Sequence, residues 1–254
     1  MLELCAIASG SNGNCYYIGD SDSAILIDVG ISQNAVLFRM AERNLNIEKV
    51  KAIIVSHEHR DHINGARVIS NKNKIPIYMT DKTWAKSLRL YRPKEFMPFS
   101  PGDIIKIGEF IVHTFLKKHD AVEPCSFRIE YKGINVGVIT DLGTICKNVA
   151  KHAQKCQVLF LECNYDEALL WRGRYPFFLK DRIDSDSGHL SNYQALNLIK
   201  KYRHPDFKLL VLSHLSDENN RPDIARATFN EFNDKFDIQI TDRTCVGEVF
   251  EIKL

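Results

Sequence analysis

Apolar residues recur along this chain in short runs divided by polar turns, and no run is long. LELCAIA (2–8), CYYIG (15–19), AILID (24–28), VKAIIVS (50–56) and IPIYM (75–79) open the series. DIIKI (103–107), FIVHTFL (110–116), CSFRIEY (125–131), INVGVIT (134–140) and QVLFLE (157–162) continue it, and KLLVLS (208–213), DIQIT (237–241) and GEVFEI (247–252) complete it. Their shortness and β-branched content predict strands. Helical spacing is found instead at 32–44, 62–71, 81–90, 143–154, 192–203 and 221–236, the last with Ile224, Ala227, Phe229 and Phe232 in phase. The least regular stretch, 163–188, predicts a short helix and an excursion over one face. Strand-rich stretches with helices between and after them predict a layered α/β (α+β) sandwich. No repeat, low-complexity tract or Pro/Gly/Ser linker divides the chain, so residues 1–254 read as a single domain.

Composition narrows the classes. Hydrophobic residues make up 44% of the 254 and charged residues 26%, enough for a sizeable core without staples. A net charge of +2 means that any nucleic-acid contact must use a local patch. No apolar run approaches the roughly 18 residues of a membrane span. The opening MLELCAIASG carries Glu3 and turns polar after Ala8, so no export leader and no membrane partner are expected. Seven cysteines (5, 15, 125, 146, 156, 163 and 245) are scattered without a C-x-x-C pair, which predicts reduced thiols and a cytoplasmic protein.

The chemistry concentrates in SHEHRDHINGA (56–66). VKAIIVS runs as a buried strand straight into His57, His59, Asp61 and His62. In extended backbone residues i and i+2 point the same way, so His57 and His59 can converge on one ion. The turn toward a helix near His62 would aim Asp61 and His62 at a neighbouring point. Imidazole suits zinc, and a carboxylate adds a harder ligand. Three further ligand-type residues stand at strand ends: His119, Asp141 and His214. His113 lies mid-strand and reads as a core or surface histidine, while His152 and His204, among lysines and arginines, read as solvated.

H-x-H-x-D-H after a strand, followed by separate His, Asp and His at strand ends, resembles the metallo-β-lactamase fold superfamily. Asp28, at the end of AILID, resembles that family's first motif, a buried aspartate supporting the metal loop. The resemblance spans nearly the whole chain and implies a four-layer αββα sandwich. It implies that His57, His59 and His119 hold one divalent ion, that Asp61, His62 and His214 hold a second, and that Asp141 bridges them. Zinc is expected, with Mn2+ or iron compatible with the two carboxylates. Ions about 3.5–4 Å apart would activate a water for attack on phosphorus or a carbonyl.

Within the superfamily the phosphodiesterase branch fits best. His189 in GHLSN resembles the H-x-S/T element of tRNase Z-like nucleases, and Glu162 stands where those enzymes place its carboxylate partner. The pair would protonate a departing sugar oxygen. ASGSNGNC, HDAVEPCSF, NYD, GHLSN and LSHLSDENN together resemble the YycJ/WalJ-type metallo-hydrolases, which implies 5′-to-3′ exonuclease action on DNA. Only about 70 residues separate Asp141 from His214, too few for the β-CASP domain of many related nucleases. Trp171, Arg172, Arg174, Tyr175, Phe177, Phe178, Lys180 and Arg182 interleave aromatic and basic residues, and form either a strand-binding surface or a packed lid. SGSNGN (9–14) lacks the lysine of a phosphate loop and reads either as cleft lining or as a plain turn. The expected function is a two-metal hydrolase acting on nucleic acid, DNA favoured, with Asp61, His189 and Glu162 as catalytic residues. Hydrolysis of a small phosphodiester or other ester-like metabolite, and a metal-stabilised scaffold, are the competing readings.

Overall fold

Strands that read apolar at nearly every position must be covered on both faces. In a computed structural model, which describes residues 1–253, they are. The strands are β1 (Leu2–Ala8), β2 (Cys15–Gly19), β3 (Ala24–Ile27), β4 (Val50–Ile54), β5 (Ile77–Met79) and β6 (Met97–Pro98), then β7 (Ile104–Ile107), β8 (Phe110–Leu116), β9 (Cys125–Tyr131) and β10 (Ile134–Ile139). β11 (Val158–Glu162), β12 (Leu209–Ser213), β13 (Asp237–Ile240) and β14 (Phe250–Ile252) follow. They form two seven-stranded sheets, ordered β14-β1-β2-β3-β4-β5-β6 and β13-β12-β11-β10-β9-β8-β7.

The period of two along each strand assigns its side chains to layers. Leu2, Leu4, Ile25 and Ile27 from the first sheet meet Val136, Phe160 and Val211 from the second in the central core. Their neighbours Cys5, Ile7 and Leu26 face outward, onto α1 (Gln33–Glu42) and α3 (Ala66–Asn73). On the far side Leu159, Leu161, Leu210 and Leu212 pack under α5 (Lys147–Ala153), α8 (Asn192–Tyr202) and α9 (Pro222–Thr228). The result is the expected αββα sandwich. The remaining helices are α2 (Arg60–Ile63), α4 (Asp81–Lys86), α6 (Glu167–Arg172) and α7 (Phe177–Ile183). None is long and apolar enough to cross a membrane.

Several expectations are corrected. The helix predicted over 62–71 is two, α2 and α3, parted at Gly65, where a Cβ would lie 2.1 Å from the Ile31 carbonyl. The helix predicted from 143 starts only at Lys147, after a turn in which the Gly143 amide donates to the Lys118 carbonyl at 2.9 Å and its Cα packs against the Asp186 backbone. The stretch 81–90 is helical only to Lys86, and 221–236 only to Thr228, after which a short 3-10 turn buries Phe232. β6, two residues including a proline, escaped the strand pattern. Segment 163–188 carries two short helices, α6 and α7, not one. His152 and His204 are half-buried, not solvated: His152 stacks on Phe115 with ring centroids 4.1 Å apart, and His204 Nδ1 accepts from the Asp206 amide. All seven cysteines are free thiols, and burial pushes Cys5, Cys125 and Cys156 up to about 12.

Candidate metal centre

β3 and β4 run parallel, as do β10, β11 and β12, so their carboxyl ends gather along one edge of the sandwich. In parallel sheets such edges are where ligands bind. Asp28 follows β3, His57 follows β4, His119 follows β8, Asp141 follows β10, Glu162 ends β11 and His214 follows β12. Asp28, Asp141 and His214 have φ of 60°, 53° and 57°, the left-handed region that L side chains enter at a cost. This turn takes the chain out of the sheet while leaving the side chain over its edge.

The seven expected ligands fall into two adjoining groups whose donor atoms lie within 4.8 Å of one another: His57, His59 and His119, then Asp61, His62, Asp141 and His214. In the first, His59 Nδ1 lies 3.1 Å from His57 Nε2 and 3.3 Å from His119 Nε2. The outer nitrogens are already engaged. His57 Nδ1 meets Ser56 Oγ at 2.8 Å, and His119 Nδ1 meets the Gly188 carbonyl at 3.1 Å. A carbonyl only accepts, so His119 carries its proton on Nδ1 and turns a lone pair inward. Burial pushes His57 well below the ordinary imidazole range and His119 down to about 4, which keeps both neutral and able to ligate.

In the second group Asp28 is the organiser. Its carboxylate, 1% exposed, accepts from the Ser56 amide at 2.7 Å, from Ser56 Oγ at 2.8 Å and from His62 Nδ1 at 2.7 Å. His62 Nε2 then faces Asp141 Oδ2 at 3.2 Å and Asp61 Oδ2 at 3.4 Å. Asp141 Oδ1 reaches toward both groups, 3.8 Å from His119 Nε2 and 3.6 Å from His214 Nδ1. Burial works against a charge on His62, yet Asp141, Asp28 and Asp61 together hold it well above the usual range. Three carboxylates converging on one buried ring call for a cation. The buried Asp141 Oδ2 and His214 Nε2 have no hydrogen-bond partner, as expected of atoms whose partner is a metal. The donor set therefore fits divalent ions.

Glu162 joins the centre to the remaining expected residue. Its Oε1 accepts from His189 Nδ1 at 2.7 Å and from His214 Nδ1 at 2.8 Å, and its Oε2 from the Leu142 amide at 2.6 Å. Burial opposes the carboxylate, but His189 and His214 bring it down to about 2. Burial likewise opposes a charge on His189, and Glu162 overrides it, raising the imidazole to about 9. His189 lies two residues before the Ser191 N-cap of α8, not in the helix itself. It lines a recess of about 190 Å3 together with Ser11, Tyr175 and Arg182. Ser11 also borders a second recess of about 400 Å3 with Asn12, Arg60 and Asp61. The 9–14 turn thus lines the cleft on both sides, and Ser9 Oγ accepts from the His214 amide at 2.8 Å.

Several residues at the centre escaped the sequence reading. Asn14 Nδ2 is 3.1 Å from His62 Nε2. Lys117 is buried and donates to the Thr140 carbonyl at 2.6 Å. Asp120 pairs with Arg182 Nε at 2.7 Å, and its other oxygen is 3.3 Å from His119 Nε2. Adjacency was the available signal for the last two, since Lys117 stands two residues before His119 and Asp120 one after.

Known proteins resemble this chain over most of its length. The family model of the metallo-beta-lactamase superfamily matches residues 8–214. Exodeoxyribonuclease YycJ of Bacillus anthracis is 34% identical, over 99% of this chain and 94% of its own length. Exodeoxyribonuclease WalJ of Streptococcus pneumoniae serotype 2 is 33% identical, over 89% of this chain and 86% of its own. Among solved structures, the metallo-beta-lactamase fold protein YhfI from Bacillus subtilis superposes with a TM-score of 0.76 at 20% identity, covering 99% of this chain and 100% of that one.

Proposed function

The chain belongs to the metallo-β-lactamase superfamily, grouping there with the YycJ/WalJ-type hydrolases, and from that premise we propose that it is a two-metal exonuclease acting on DNA. Membership makes it a metal-dependent hydrolase. The observation that carries the choice of a phosphodiester is the Glu162–His189 pair beside the two ligand groups, at 2.7 Å. A poor alkoxide leaving group needs a proton as it departs, and a charged, aimed imidazole is a means of giving one.

In this reading His57, His59 and His119 would hold one ion and Asp61, His62 and His214 the other, and Asp141, whose Oδ1 also turns toward His119, would serve both. Two divalent ions, zinc by the character of the donors, with Mn2+ or iron compatible, would polarise a phosphate and acidify a water toward neutrality when bound. Asp28 sets the tautomer of His62. Asp61, at the border of the larger recess, orients the attacking water. His189 passes its proton to the sugar oxygen as the P–O bond breaks, and Glu162 holds the ring in place and balances its charge. The reading includes 5′-to-3′ polarity, as the resemblance of GHLSN and LSHLSDENN implies, and a cytoplasmic site of action, which seven free thiols suit.

The modest recess beside His189, about 190 Å3, favours a second reading, hydrolysis of a small phosphodiester. One experiment separates the two. Zinc- or manganese-loaded protein is given end-labelled duplex DNA, single-stranded DNA, RNA and bis(p-nitrophenyl) phosphate. Stepwise shortening of DNA, lost in Asp61→Ala, supports the exonuclease. Cleavage of the small ester alone sinks it, and full metal occupancy with no turnover returns the scaffold reading.

A further inference from the structure

We infer that the strap from Trp171 to Ile183 is the surface on which an unpaired DNA strand lies, its bases stacked on Phe177 and Phe178 and its phosphates against Arg172 and Arg174. This rests on the DNA reading above and names residues for it. Phe177 and Phe178 are each 74% exposed, and Trp171 is 42% exposed. A strap that merely packed on the domain would bury these rings, so the packed-lid alternative does not describe it.

The rings are held out on a braced support. Lys180 of α7 is 5% exposed, and its ammonium donates to the Trp171 and Gly173 carbonyls at 2.9 and 2.8 Å. Arg182 is tied to Asp120, and the His189 amide donates to the Ile183 carbonyl at 2.8 Å. The same helix turns Leu179, Arg182 and Ile183 toward the recess that holds His189, and Tyr175 joins them there. The exposed rings therefore belong to the same short helix as three residues that line the recess, without lining it themselves.

Charge selects the occupant. Arg172 and Arg174 are exposed, and unlike Arg182 neither has a carboxylate within 4.0 Å among the described residues. Exposed aromatic faces interleaved with free guanidinium groups suit a strand that offers stacked bases and a phosphate backbone in alternation. A second copy of this chain would bring the same arginines against these and be repelled.

The test uses the metal-loaded protein and a fluorescent, cleavage-resistant phosphorothioate oligothymidylate, with anisotropy measured across salt concentrations. The variants are Phe177→Ala/Phe178→Ala and Arg172→Gln/Arg174→Gln, surface changes that leave the core intact. The aromatic variant is expected to bind about tenfold more weakly or worse. The arginine variant should flatten the log–log salt slope by about 1.4, two single-strand phosphate contacts. Both should cleave bis(p-nitrophenyl) phosphate at the wild-type rate. Affinity within twofold of wild type, an unchanged slope, or a wild-type dimer that dissociates in the aromatic variant overturns the inference. Wild-type protein that shortens DNA while the variants match it overturns this inference alone; wild-type protein that neither binds nor shortens DNA overturns the parent reading as well.

Discussion

Replacing Asp28 by Asn keeps the shape of the side chain and changes one charge and two hydrogens. The native carboxylate receives the Ser56 amide on Oδ1, and Ser56 Oγ and His62 Nδ1 on Oδ2, all within 2.8 Å. The Ser56 amide would retain the Asn oxygen, leaving the NH2 to face His62. Nδ1 must then accept, so the ring proton moves to Nε2, the nitrogen that faces Asp61 and Asp141. A proton there blocks a cation. Loss of such a supporting partner typically weakens metal affinity 10–100-fold, about 1.4–2.7 kcal/mol. The effect falls mainly on one side, because His119 keeps the Gly188 carbonyl and Ser56 Oγ, though it loses its acceptor on residue 28, can still accept from His57 Nδ1. Titration of zinc-free protein against a chromophoric chelator should therefore show two tight equivalents in the wild type. Asp28→Asn should show one tight and one weakened equivalent. Thermal unfolding of the zinc-free variant should show it folded and about 1–3 kcal/mol less stable. Two unchanged equivalents, or both weakened alike in folded protein, would refute the tautomer argument.

Other outcomes follow from the same coordinates. His189→Ala should slow DNA degradation by about 10²–10⁴ with zinc content unchanged, yet spare a nitrophenyl ester, whose leaving group needs no proton; equal losses on both substrates would remove the proton-donor role. Gly30→Ala would set a Cβ 1.6 Å from the Asp61 carbonyl, so the metal loop must shift, and zinc binding should fall along with stability by about 1–3 kcal/mol or more in a chemical melt. Burial, with Arg128 and His113 nearby, pushes His152 down to about 4. Between that value and its unfolded pKa of about 6.5, the unfolded chain holds the extra proton, so stability rises with pH and is lost on acidification. The ring is partly exposed, so after allowance for solvent screening the effect is about 1 kcal/mol. Urea melts at several pH values should show a shallower slope over this window in His152→Gln, and an unchanged slope would contradict the assignment.

Which parts of the fold could be read in advance follows from what each run has to satisfy. AILI and VLFL are apolar at successive positions because β3 and β11 are covered on both faces, and such runs have few alternatives to a buried strand. Helix ends were harder. α3 starts at Ala66 because Gly65 must pass within contact of the Ile31 carbonyl, a partner more than thirty residues away in the chain. α5 starts late, beyond a turn that holds Gly143 against Lys118 and the Asp186 backbone. Both limits are tertiary, and no local pattern carries them.

The centre divides along the same line. Ligand-type side chains at the ends of apolar strands are a local signal, and parallel strands bring their ends to one edge, so the convergence of His57, His119, Asp141 and His214 was legible. The turn that makes it work was not. At Asp28, Asp141 and His214 the backbone adopts a conformation glycine would enter freely, at a cost of about 1–2 kcal/mol per residue. Asp and His tolerate that region better than most residues, but tolerance does not explain three instances at three strand ends on one edge. The strain is retained because glycine there would ease the backbone and remove the carboxylate or imidazole. A local rule broken repeatedly around one point marks a place where chemistry outweighs stability. The same logic reaches the exposed Phe177 and Phe178, which break the burial rule as these three break the backbone rule, on the helix whose Leu179, Arg182 and Ile183 line the recess of His189.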